Sequence, residues 1–89
     1  MHIQQYDVII LNDDSTPFDL VCYILEEVFS LTSEEANKKA LEIHNKGKAV
    51  VGTYIYEIAI DKQYQASMIA RANGYVLDVV LENSSDEKE

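Results

Sequence analysis

Residues 6–11 carry an almost unbroken apolar run, Val8, Ile9, Ile10 and Leu11 after Tyr6 and Asp7, and the run stops at Asn12, Asp13, Asp14 and Ser15. β-Branched side chains in so short a stretch predict a mostly buried strand, and the polar residues that follow favour a turn. The period then changes. Val21, Ile24, Leu25 and Val28 recur at helical spacing, with Thr16 as the expected N-cap, Pro17 at the first helical position and Asp19 at the third. Thr32 and Glu35 have the spacing of a capping box, which opens a second helix through Ala36, Ala40, Ile43 and His44. Gly47 suits a left-handed C-terminal cap, and Lys46 and Lys48 beside it complement the negative end of the helix dipole.

Residues 48–56 read as a second strand. Residues 57–73 read as a third helix, with Ile58, Ala59, Ala66, Ile69 and Ala70 on one side and Gly74 at its end. Residues 75–81 complete the pattern as a third strand, in which Asp78 interrupts an otherwise apolar run. The order β-α-α-β-α-β predicts an α+β two-layer sandwich, a small three-stranded antiparallel sheet with three helices on one face. One domain over residues 1–82 is expected, followed by an acidic, disordered tail at 83–89.

Composition narrows the class of partner. With 7 Lys and Arg against 16 Asp and Glu, the chain has a formal net charge of −9. Nucleic acids and anionic membranes need clustered basic side chains, so neither is expected, and the field favours a cationic ligand. The single cysteine, Cys22, can form neither an internal disulfide nor a thiolate zinc site. Without a basic-then-apolar leader in residues 1–5 or an apolar stretch near the ~20 residues needed to cross a bilayer, a cytoplasmic monomer is the expectation.

The segment richest in chemistry is the loop between the first strand and the first helix. Asn12, Asp13 and Asp14 put a carboxamide and two carboxylates beside a buried strand end. Such a loop either closes a turn, the commoner case, or surrounds a cation with its oxygens. His44 is the second feature. A lone histidine late in an apolar helix face is more often hydrogen-bonded at a core boundary than functional. Asp13, Asp14 and His44 lack metal-ligand spacing, and Cys22 beside Val21 on a buried helix face is a poor nucleophile, so neither metal, cofactor nor catalysis is expected.

Taken together, Leu11 to Asp14, Thr16, Pro17, Val21, His44, Gly47, Lys48, Ala49, Gly52, Glu57, Ala59, Lys62, Ala70 and Arg71 resemble the Clp protease adaptor family, ClpS, in a gap-free alignment over residues 6–82. The resemblance implies recognition of N-end rule substrates, polypeptides whose first residue is Leu, Phe, Tyr or Trp, and their presentation to the N-terminal domain of a Clp/Hsp100 unfoldase of the ClpA or ClpC type. It implies that Asn12, Asp13, Asp14 and His44 surround the substrate's α-ammonium group. It implies a side-chain pocket of Ile10, Leu11, Thr16, Phe18, Val21, Ala40, Ile43 and Leu77, and an unfoldase contact through Glu57 and Lys62. Phe18 stands where the family usually has methionine and Ala40 where it has a larger residue, implying a narrower entrance over a deeper floor. The family usually carries a flexible arm for substrate hand-over, and only residues 1–5 precede the first strand. The alternative is a non-adaptor interaction module of the same fold, resembling the C-terminal domain of the ribosomal stalk protein, which would have no use for Asn12, Asp13 and His44 around one pocket.

Overall fold

The computed structural model describes residues 3–84. Its elements are β1 (Gln5–Leu11), α1 (Phe18–Phe29), α2 (Ser33–Lys46), β2 (Lys48–Ile55), α3 (Tyr56–Ala72) and β3 (Val79–Asn83). β1 is the central strand of an antiparallel sheet ordered β2-β1-β3, and the three helices cover one face. This is the α+β sandwich that the alternation of periods predicts.

The helix ends follow their capping residues. Thr32 accepts from the Glu35 backbone N–H while the Glu35 carboxylate accepts from the Thr32 N–H, so two otherwise orphaned donors at the start of α2 are satisfied. Gly47 ends α2 with φ at 92°, a left-handed conformation that costs a residue without Cβ nothing. The start of α1 lies one residue later than its sequence suggests. Pro17, not Thr16, occupies the N-cap in extended conformation, and its carbonyl accepts from Leu20 and Val21. Thr16 is drawn instead into the preceding turn.

Val8, Ile10, Ile24, Leu25 and Val28 are the largest fully buried side chains of the core. Ala59, Ala66 and Ala70 are fully buried along α3, and their short side chains let that helix approach the sheet closely. Ile58, expected beside them, is 44% exposed, because it lies about 100° around the helix from Ala59. The third strand starts at Val79 rather than at residue 75. Tyr75 N–H is used to close the end of α3 at the Ala70 carbonyl, which holds the next residues off the ladder. At the other end β3 runs through Asn83, one residue beyond the boundary expected at 82, and the Ser84 N–H after it donates to the Gln5 carbonyl. The rest of the expected tail, 85–89, lies outside the described residues.

Candidate functional site

Two backbone hydrogen bonds at the end of β1 assemble the site. Leu11 N–H donates to the Asp78 carbonyl at 3.0 Å, tying the strand end to the segment before β3. The next residue, Asn12, donates its N–H to the Gly47 carbonyl at 2.8 Å, tying the loop to the end of α2. These bonds bring His44, in the last turn of α2, and Leu77, beside Asp78, to the two sides of the 12–17 loop. A cavity of about 400 Å³ lies between them.

The loop is organised by its own side chains. Asp13 closes the turn: its carboxylate accepts from the Thr16 hydroxyl and its carbonyl accepts from the Thr16 N–H at 3.2 Å. Thr16 is 8% exposed, and this bond satisfies its buried hydroxyl. Asn12 Nδ2 donates to Asp14 Oδ1 at 3.3 Å, which turns the Asn12 carboxamide oxygen away from that bond and leaves it available to accept. Asn12, Asp14 and His44 are exposed at the cavity rim, whereas Asp13 is half-buried. The acidic loop thus has two jobs: Asp13 holds the turn, and Asn12 and Asp14 present oxygens.

The opposite wall is apolar. Val21 of α1, Ala40 and Ile43 of α2, and Leu77 are each less than a tenth exposed and form the floor. Phe18, the first residue of α1, is 40% exposed at the mouth, and Leu11 completes the wall. Ile10 is not part of it. It is fully buried in the core under the helices and does not reach the cavity, because neighbouring strand residues point to opposite faces. Ser15 and Pro17, not singled out as pocket residues by their sequence, do line the cavity. Their place within the same loop was the available signal.

A ring of acceptors above an apolar floor suits an amphiphilic cation, a protonated amine attached to a large apolar group. It does not suit a metal ion. Among the described residues, no three His, Cys, Asp or Glu side chains converge closely enough to hold one. Nor does Cys22 offer a nucleophile. It is buried with Sγ 3.8 Å from Asn37 Oδ1; burial raises its pKa above the ordinary thiol value, and the Asp19 and Glu26 carboxylates raise it further. Among the described residues no helix is long and apolar enough to cross a membrane.

Glu57 and Lys62 lie outside the cavity. Glu57 is exposed in the first turn of α3, where a carboxylate complements the helix dipole. Lys62 is half-buried: its ammonium donates to the Val28 carbonyl at 2.9 Å, near the C-terminus of α1, and sits 5.7 Å from the centre of the Tyr54 ring. Lys62 therefore serves to cap α1.

Comparison with known proteins places the chain in a family. The family model for the ATP-dependent Clp protease adaptor protein ClpS matches residues 1–80. The Clp protease adapter protein ClpS of Helicobacter hepaticus is 48% identical over 79 residues, which cover 89% of this chain and 80% of that protein. ClpS of Vibrio atlanticus is 44% identical over 77 residues, covering 86% and 73%. The structure of Agrobacterium tumefaciens ClpS2 bound to L-phenylalaninamide matches with a TM-score of 0.89 at 29% identity, over 92% of this chain and 99% of that one. On sequence over nearly its whole length, and on a fold shared with a solved member, the chain belongs to the ClpS family of ATP-dependent Clp protease adaptors.

Proposed function

We propose that this protein is an N-end rule adaptor: it holds the free first residue of a polypeptide in the cavity at the end of β1 and presents that polypeptide to a Clp unfoldase, without covalent chemistry of its own. The observation that carries this reading is the pairing of exposed acceptors at Asn12, Asp14 and His44 with the buried floor of Val21, Ala40, Ile43 and Leu77 in one cavity. An α-ammonium group has three donors and no acceptor, and an acylated or internal nitrogen cannot meet the same set of acceptors. A large apolar side chain on the floor contributes roughly 1.5–3 kcal/mol, which small or charged first residues forgo. L-Phenylalaninamide, bound by the related ClpS2, has this combination of free amine and benzyl group.

Within this reading Asn12 and Asp14 contact the ammonium directly and His44 accepts through a ring nitrogen. Asp13 acts mainly by fixing the loop, and Thr16 holds it there. Phe18 at the mouth sets the entrance width, and Ala40 sets the depth. The unfoldase, of ClpA or ClpC type, docks by its N-terminal domain on the α3 side through Glu57. Lys62 contributes to that surface by keeping the end of α1 in place.

Calorimetric titration with a short peptide beginning with Phe, beside its N-acetylated twin, tests the proposal. The free peptide binds, and acetylation lowers affinity by at least a hundredfold. Equal affinity for both would show that the cavity does not read a free terminus.

A further inference from the structure

A second cavity, of about 230 Å³, lies between the C-terminal half of α3 and the segment leading into β3, and Leu77 lines both cavities. Its rim carries the chain's only arginine, Arg71, together with Ser67 and Asp78, while Val76 and Val80 supply apolar surface. Val76 is 71% exposed, and Arg71 has no ion-pair partner among the described residues, not even the Asp78 carboxylate on the same rim. Donors on one side and an acceptor on the other, unpaired with each other, match a group that both accepts and donates. A peptide bond is such a group.

We infer that this second cavity grips the main chain of the bound polypeptide a few residues beyond its first, an inference that rests on the terminus-binding reading of the first cavity. The Arg71 guanidinium and the Ser67 hydroxyl donate to a substrate carbonyl, the Asp78 carboxylate accepts from a substrate N–H, and Val76 and Val80 pack against whichever side chain lies between. Because both contacts are to the backbone, the grip adds affinity without adding sequence preference. Its position sets the register. Leu77 borders both cavities, so a chain leaving the first reaches the second within a few extended residues at about 3.3 Å each. The gripped segment is thus a few residues in, around the fourth to fifth.

A series of C-terminally amidated peptides, Phe followed by one to six Ala, tests this by fluorescence anisotropy competition. Affinity rises about three- to tenfold as the fourth and fifth residues are added, the gain expected from one or two net hydrogen bonds, and then levels off. Arg71→Ala removes that rise while leaving the affinity of the two-residue peptide unchanged. On the unaltered protein, N-methylation of the amide at residues four and five removes the rise too, a readout that no folding defect can imitate. An affinity flat with length, or a rise that survives both Arg71→Ala and N-methylation, overturns the second grip while leaving the first cavity intact. Failure of every peptide, short and long, would overturn both readings together.

Discussion

Replacing Ala40 with Leu should close the cavity from below without harming the fold. Ala40 is 2% exposed and lines the cavity floor. Three added carbons there are expected to extend into the cavity rather than into the filled core, where overpacking would cost about 1–3 kcal/mol. They occupy room that a bound Phe or Leu side chain would otherwise fill. At about 0.8 kcal/mol for each buried carbon displaced, the ligand loses about 2 kcal/mol, roughly thirtyfold in Kd. Peptides beginning with Ala, which never reach the floor, bind the variant and the parent alike. Calorimetry with Phe-, Leu- and Ala-initiated peptides reads the pattern, and a thermal melt shows Ala40→Leu as stable as the parent or slightly more so. Unchanged affinity for the Phe peptide would refute the reasoning, since the first side chain would then lie elsewhere. A fall in melting temperature would refute it as well, by showing that the space over Ala40 is not free.

Two further outcomes follow from the packing around α1. Lys62→Met should destabilise the fold by about 1–2 kcal/mol in urea titration, because it leaves the Val28 carbonyl without its charged donor at the helix end and removes the cation over Tyr54; unchanged stability would return Lys62 to the role of a free surface charge. Cys22 has a raised pKa, caused first by burial and then by Asp19 and Glu26. Its contribution to stability is thus complete below the ordinary thiol value and is lost as pH rises through the raised one, so unfolding free energy falls as pH rises above the ordinary thiol value. Cys22→Ala flattens that part of the pH profile, and maleimide labels the native thiol far more slowly than it labels the unfolded chain.

Local signals carried much of this protein in plain view. Thr32 and Glu35 cap α2 because the partners are three residues apart and need no other part of the chain, and Gly47 ends it because only local backbone conformation is at stake. The loop at residues 12–16 reads as both turn and cation site for the same reason: its hydrogen bonds, from the Thr16 hydroxyl to Asp13 and from Asn12 to Asp14, are short-range. The family pattern of those residues with His44 extended the reading from loop to site. Other features needed the folded chain. Ile10 and Leu11 are equally apolar neighbours, and only pairing of β1 with both flanking strands decides that one enters the core and the other borders the cavity. Likewise Lys62 meets Val28 across 34 residues, Arg71 shares a rim with Asp78, and Leu77 divides two cavities. A window of sequence encodes contacts within a turn or two of chain, whereas these depend on strand register and helix placement, which the whole domain settles at once when it buries its apolar faces.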